Sequence, residues 1–214
     1  MKEKIKSTEE RKNKIKSKRF LIKILIIVAF AVAMAYLESV LVVYLREILS
    51  ISYPSQMPSA AETALKIPYF ALLKNPLVVI PNVKLLWIEI FREAATMVML
   101  FSFAWLVGKK WRDRLAIFLM SFAVWDIFYY VFLYVLLGWP ASLATLDVLF
   151  LIPLPWVAPV WVPLAASTAM IFIAFELFKH SELDVKVEEE LERARILIQV
   201  LEKRHKERLK RRKK

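Results

Sequence analysis

Four acidic residues and one arginine interrupt segments that are otherwise long and apolar. They are Glu38, Glu89, Arg92, Glu93 and Asp126. A charged side chain at the centre of a membrane helix costs about 2.5–3.5 kcal/mol on insertion scales, so such residues are hypotheses of function by default. Four carboxylates with one guanidinium cannot all remain ionised in a dry interior. Either carboxyl groups take up protons, or a cation binds, or water enters.

The second charged segment has helical spacing. Glu89, Arg92, Glu93 and Thr96 follow one another at i, i+3, i+4 and i+7, which places them on one helix face. The guanidinium of Arg92 can pair with a carboxylate through two parallel hydrogen bonds. This face is therefore predicted to bind a ligand or to pair with another helix.

The depth of each acid follows from the 1.5 Å rise per helical residue. The inner edge of a span is here the edge on the cytoplasmic side, in the orientation predicted below from the positive charge. Glu38 lies about 25 Å from the inner edge of its span, and Asp126 lies about 16 Å from the inner edge of its own. Glu89 and Glu93 lie about 6 and 12 Å from the outer edge of theirs. Three spans therefore bring charge to the same outer half of the membrane.

Aromatic residues accompany the charges. The residues predicted to form an interfacial belt are Trp139, Trp156 and Trp161. Those predicted to lie deeper and to line a pocket are Trp125, Tyr129 and Tyr130.

Oxygen ligands suggest one kind of metal site. Glu38, Glu89, Glu93 and Asp126 together would suit a divalent cation such as Ca²⁺, Mg²⁺ or Mn²⁺. The chain has no cysteine, and its two histidines, His180 and His205, lie outside the apolar segments. Haem and iron–sulfur clusters are therefore not expected.

The apolar segments predict the elements that must position these residues. Hydrophobic residues make up 59% of the 214 residues and collect in four long blocks, which is typical of membrane spans. The predicted fold is an all-α, four-span transmembrane bundle with a proline-broken fourth segment and a C-terminal cytoplasmic helix. The predicted spans are residues 20–45, 85–107, 115–137 and 150–178. Residues 1–19 form a basic tail, residues 20–181 the bundle and residues 182–214 an amphipathic or coiled-coil helix.

Two regions are harder to assign. The fourth block contains Pro153, Pro155, Pro159 and Pro163, so its backbone over residues 150–163 is predicted to be irregular and to be buried or to line a cavity. Residues 67–83 are too apolar to be freely solvated and too rich in proline to span. They are predicted to lie in the interface or over the mouth of the bundle. Before them, Ser59 and Glu62 resemble a capping box that starts a short helix.

The C-terminal helix has an apolar repeat. Its members are Val187, Leu191, Ala194, Ile198 and Leu201, with His205 at the next position. Alternating spacings of four and three residues are typical of a coiled-coil seam. The seam either pairs subunits or docks a partner, or the helix lies back on the membrane.

The distribution of positive charge predicts the orientation. Residues 1–23, residues 109–114 and the chain from Lys179 onward together hold 27 Lys and Arg residues, whereas the two longer connections hold 4. The positive-inside rule then places both termini in the cytoplasm and the protein in the cell membrane as a multi-pass protein. The net charge of +12 is assigned to anionic lipid contacts rather than to nucleic acid.

Several stretches together resemble a known group of proteins. They are Glu89-Ile-Phe-Arg-Glu-Ala-Ala-Thr96, Trp125-Asp-Ile-Phe-Tyr-Tyr130, Gly138-Trp-Pro140 and Leu149-Phe-Leu-Ile-Pro-Leu-Pro-Trp156. They resemble an uncharacterised family of small prokaryotic multi-pass membrane proteins with no assigned activity. The resemblance covers residues 38–163 and implies no function.

Three functions stay open at this stage. The first is an outward-facing intramembrane pocket that binds a cation, a proton or a small polar ligand, in transport, permeation or sensing. The second is a non-catalytic subunit of a larger membrane complex that uses the charges for helix pairing. The third is a membrane-embedded, metal-dependent enzyme that acts on a lipid or a quinone.

Overall fold

Four long helices dominate the protein. The computed structural model describes residues 2–49 and 56–212, and it describes the side chains of residues 17–46, 56–181 and 191–201. The helices are α1 (Lys2–Leu49), α2 (Val83–Val107), α3 (Trp111–Leu137) and α4 (Trp161–Arg212). The strands are β1 (Thr63–Ile67), β2 (Phe70–Leu73), β3 (Leu146–Phe150) and β4 (Trp156–Pro159), and a single 3₁₀ turn covers Pro76–Val78.

Each long helix contains a segment that can cross a membrane. In the described part of the chain these segments are Ser17–Arg46, Val83–Val107, Trp111–Leu137 and Trp161–Ser181. Their outward faces are apolar: Leu106 exposes 83% of its surface and Phe172 exposes 69%. Such faces are costly in water and suited to hydrocarbon. The chain is therefore a multi-pass membrane protein, and the prediction of four spans is confirmed.

Helix α3 is the centre of the bundle. Its packing against α1 and α4 is the most extensive in the molecule, and α2 packs against it less closely. Helix α1 presents Ala31, Ala35 and Ser39, all fully buried and spaced by four residues. The Ser39 hydroxyl donates to the carbonyl of Ala35 at 2.7 Å and reaches the carbonyl of Tyr129 at 3.2 Å. Small side chains on this face let the two backbones approach closely.

The two ends of the bundle differ. At one end, Phe20 packs edge-on against Phe178, and Lys23 pairs with Asp113 at 2.5 Å. The span of α1 therefore begins, and the span of α4 ends, at the same end of the bundle. That end also holds the short connection between α2 and α3. The two longer connections lie at the opposite end.

Those two longer connections form one antiparallel sheet. The strand order is β1-β2-β4-β3. Ala71 lies opposite Val157, and Leu72 lies opposite Trp156. Beyond this pairing, the N–H of Leu73 donates to the carbonyl of Pro155 at 2.9 Å. The sheet thus ties residues 63–73 to residues 146–159 across the end of the bundle.

The sheet corrects the prediction of an all-α fold. Its strands are four or five residues long, too short to show a clear alternating pattern. The turn at Ser59 also differs from its prediction. The N–H and hydroxyl of Ser59 donate to the Glu62 carboxylate at 2.8 and 2.7 Å, but the turn leads into β1 rather than into a helix.

The fourth span begins later than predicted. It covers Trp161–Ser181 rather than residues 150–178, and Pro153 and Pro155 lie in the connection between β3 and β4. Pro163 lies in the first turn of α4, where a backbone N–H has no helical partner in any case. The prolines therefore shape a loop between strands and leave the span itself helical.

Residues 67–83 cover the end of the bundle, which is one of the two positions predicted for them. Ile80 packs with Leu86 of α2 and Leu151 of the β3–β4 connection. The described structure does not test the predictions for the basic side chains of residues 1–16, nor those for the side chains of Val187 and His205.

Candidate functional site

A cavity of about 350 Å³ lies between the four helices and the sheet. All four helices and strands β2, β3 and β4 contribute to its wall. Its charged and phenolic lining residues are Glu38, Glu89, Arg92, Glu93, Asp126, Tyr129, Tyr130 and Asp147. Trp125 also lines it. The structure therefore brings together every predicted site residue except Thr96.

Arg92 is shared by two acids from different helices. Its Nη1 donates to Glu38 Oε1 of α1 at 2.5 Å, and its Nε donates to Glu89 Oε2 one turn earlier on α2 at 2.7 Å. Glu89 is buried. The i, i+3 spacing of this second pair places both side chains on the helix face that the sequence predicted. The guanidinium thus compensates two carboxylates and joins α1 to α2.

Thr96 is an exception to the predicted site. Its hydroxyl donates to the carbonyl of Arg92 at 3.2 Å within the same helix. Back-bonding of this kind is common for threonine inside helices. Thr96 therefore does not contribute to the cavity wall.

Two further acids are held by neutral donors. The Glu93 carboxylate accepts a hydrogen bond from the N–H of Leu151 at 2.9 Å, and Asp126 accepts one from the hydroxyl of Ser167 at 2.7 Å. Among the described residues, no Lys, Arg or His lies within ion-pair distance of either carboxylate. A partly buried carboxylate that makes no ion pair favours a proton or a bound cation.

Asp147 is a fifth acid, and the sequence analysis missed it. It begins the apolar stretch that was assigned to the fourth span, and it lies on β3 with 1% of its surface exposed. Its carboxylate accepts from the Tyr130 hydroxyl at 2.9 Å and from the N–H of Val148 at 2.9 Å. Burial raises the pKa of Asp147 from 3.8 to about 7, against the opposing effects of the Tyr130 hydrogen bond and of nearby Arg46. The feature of the sequence that could have identified Asp147 is the position of an acidic residue at the start of an apolar block.

The wall opposite the acids is aromatic. Trp125 packs edge-on against Phe122 at 5.3 Å, and Phe150 lies 5.9 Å from Trp156 between ring centres. Trp156 was predicted to belong to the interfacial belt, but it lines the cavity. The indole Nε1 atoms of Trp125 and Trp156 are buried and have no hydrogen-bond partner among the described residues.

The predicted metal site does not form as a single cluster. The described residues contain no group of three or more His, Asp or Glu side chains placed to hold a metal ion. Glu38 and Glu89 face Arg92, whereas Glu93 and Asp126 are held apart by Leu151 and Ser167. The four carboxylates line one space without converging on one point.

No protein-family model, no curated protein and no solved structure matches this chain. The fold places the chain in the class of multi-pass membrane proteins, and five carboxyl groups line its cavity. The resemblance to small prokaryotic membrane proteins stays a prediction.

Removing the shared cation is predicted to destabilise the bundle. Arg92→Gln leaves Glu38 and Glu89 buried without their guanidinium, so we expect the free energy of unfolding to fall by about 3 kcal/mol. Chemical denaturation of the purified protein in detergent measures this. Adding Glu38→Gln to Arg92→Gln is expected to restore part of the loss. Lys179→Gln breaks an exposed ion pair of the same i, i+3 spacing with Glu176 and is expected to leave stability unchanged. Equal effects of the two single variants would contradict this.

Asp147 is predicted to make stability depend on pH. Since its pKa is higher in the folded than in the unfolded protein, the folded state binds more protons, and stability falls as pH rises from about 4 to about 7. Asp147→Asn stays neutral and keeps an acceptor for the Tyr130 hydroxyl. We expect the variant to show a shallower loss of melting temperature between pH 5 and pH 8 and to exceed the parent at pH 8. The exposed Glu62→Gln serves as the control. An unchanged pH profile in Asp147→Asn would refute this assignment.

Proposed function

We propose that the protein binds a cation, a proton or a small polar ligand in this cavity. The observation that carries the proposal is the charge imbalance around one space, which is lined by five carboxyl groups and one guanidinium. Transport, permeation and sensing all require such a binding step. The proposal covers these three activities.

The hydrogen bonds of the acids support a site over a purely structural network. A network that only fixed helix register would pair each acid with a cation. Here Arg92 forms its ion pairs with Glu38 and Glu89, and it attracts Glu93 without a direct ion pair. Glu93 and Asp126 receive one neutral donor each, which is weak compensation for a buried charge. Charge of the opposite sign, brought by a ligand or a proton, would complete the site.

The same proposal includes an orientation in the cell membrane. The basic tails and the basic connection at residues 109–114 would face the cytoplasm and its anionic lipids. Since the sheet lies at the opposite end, the cavity would face outward. Its occupant would then come from the outer side or from the outer leaflet.

Neutral variants of the two singly bonded acids test the proposal. Glu93→Gln and Asp126→Asn keep an acceptor oxygen for Leu151 and Ser167 but remove the charge. If the acids are retained for binding, each variant is expected to melt at the same temperature as the parent or at a higher one. Thermal unfolding in detergent at pH 7 measures this, with the exposed Glu176→Gln as the control.

The opposite outcome would favour an ion-pair network that only fixes the register of the helices. If Glu93→Gln and Asp126→Asn both lower the melting temperature as strongly as Arg92→Gln does, the carboxylates act as parts of a register-fixing network. The proposed site would then be wrong, although the four spans would stand.

A second candidate function concerns the extension of α4, which would pair with a second copy of the chain. Leu191, Ile198 and Leu201 each expose 55% of their surface, on a helix continuous with the fourth span. Insertion gives every copy the same orientation, so the helices would pair in parallel. In a parallel coiled coil, Glu190 and Arg195 occupy the flanking g and e positions, where opposite charges attract. This favours a second copy over a membrane surface.

A charge placed in the seam tests this pairing. Ile198→Asp is expected to reduce the mass of the protein in detergent from at least two chains to one, because a core a position cannot bury an unpaired carboxylate. Light scattering during size-exclusion chromatography measures the mass. Gln199→Asp places the same charge one residue away, outside the seam, and is expected to change nothing. A parent that elutes as a single chain would disprove self-association.

A further inference from the structure

The cavity wall carries both aromatic rings and carboxyl groups. The rings form a continuous series from α3 to the sheet, in which Phe122 stacks on Phe150 at 6.2 Å and Phe70 meets Trp156 at 5.6 Å. The carboxyl groups of Glu93 and Asp126 each accept a hydrogen bond from a neutral donor. A matching occupant would carry both positive charge and apolar surface.

The size of the cavity favours an organic occupant over a bare ion. A volume of about 350 Å³ falls within the range of about 300–1,000 Å³ that small-molecule sites occupy. A dehydrated metal ion needs several oxygen ligands at about 2.0–2.6 Å, and the described carboxylates form no such group. The acids and the aromatic rings together suit a larger cation, because aromatic faces also attract positive charge.

We propose that the cavity binds an organic ammonium compound, with its charged nitrogen at Glu93 and Asp126 and its apolar body against the aromatic wall. This inference rests on the proposed function and narrows its ligand. A free aromatic amine and the ethanolamine headgroup of a lipid share this chemistry, and the experiment distinguishes them.

Matched ligands test the charge. Equilibrium dialysis of the full chain in detergent compares three aromatic or cationic probes and one lipid: tyramine, tyrosol, tetramethylammonium and dihexanoyl phosphatidylethanolamine. Tyrosol has the ring and the phenol of tyramine but carries a hydroxyl in place of the ammonium. Tyramine or the short-chain lipid is expected to bind at one per chain, and tyrosol and tetramethylammonium about tenfold or more weakly. The tighter of the two expected ligands identifies the source.

Variants test the contacts. Glu93→Gln and Asp126→Asn are each expected to weaken binding by about tenfold, because each removes one negative charge that would face the ammonium group. Glu176→Gln is expected to have no effect. Circular dichroism and elution volume verify that each variant is folded.

The outcomes separate this inference from the proposed function. Tyrosol binding as tightly as tyramine, or full binding by both Glu93→Gln and Asp126→Asn, would overturn the inference. If neither tyramine nor the lipid binds, while Na⁺ or protons stabilise the parent but not Glu93→Gln, the inference fails and the proposed function stands. If none of these cations affects the parent, both fail.

Discussion

The arrangement of the helices around the cavity depends on one interaction, the sharing of Arg92 between Glu38 and Glu89. Helices α1 and α2 pack far less closely on each other than either does on α3, and they meet mainly through this guanidinium and a stacked pair, Phe30 and Phe103, at 4.0 Å. In a medium of low dielectric constant, separating such charges is costly. The ion pairs therefore fix the rotation of α2. That rotation turns Glu93, one residue further on, toward the sheet.

The helices and the sheet together form the wall of the cavity. The β3–β4 connection supplies the backbone N–H that binds Glu93, and the sheet supplies the buried carboxyl of Asp147 that accepts from Tyr130 and the rings of Phe150 and Trp156. Four helices alone would leave the acids open to water or headgroups at that end. With the sheet across them, the acids share one confined space with an aromatic wall. This combination gives the cavity its selectivity for charge and for shape in our proposal.

The sequence predicted the parts that depend on local pattern. Span positions follow from hydropathy, and the shared face of Glu89 and Arg92 follows from helical spacing. The third span, predicted as residues 115–137, ends at Gly138, which has a left-handed φ of 65°. The sheet could not be read in this way, since the pairing of Ala71 with Val157 joins distant segments of four or five residues. Asp147 was missed for the same reason: its partner Tyr130 is set by tertiary contact. A metal site could not be predicted reliably, because the sequence does not show in which direction carboxylates on separate helices point.

The most direct test of this account is an experimental density map of the protein in lipid nanodiscs at neutral pH, at a resolution that shows side chains and bound molecules. The account predicts that Glu93, Asp126 and Asp147 face one enclosed space, with density for a bound molecule or ordered water between them and Trp125. A map in which these carboxylates turn apart, toward headgroups or bulk solvent, and the cavity is filled by protein would contradict it.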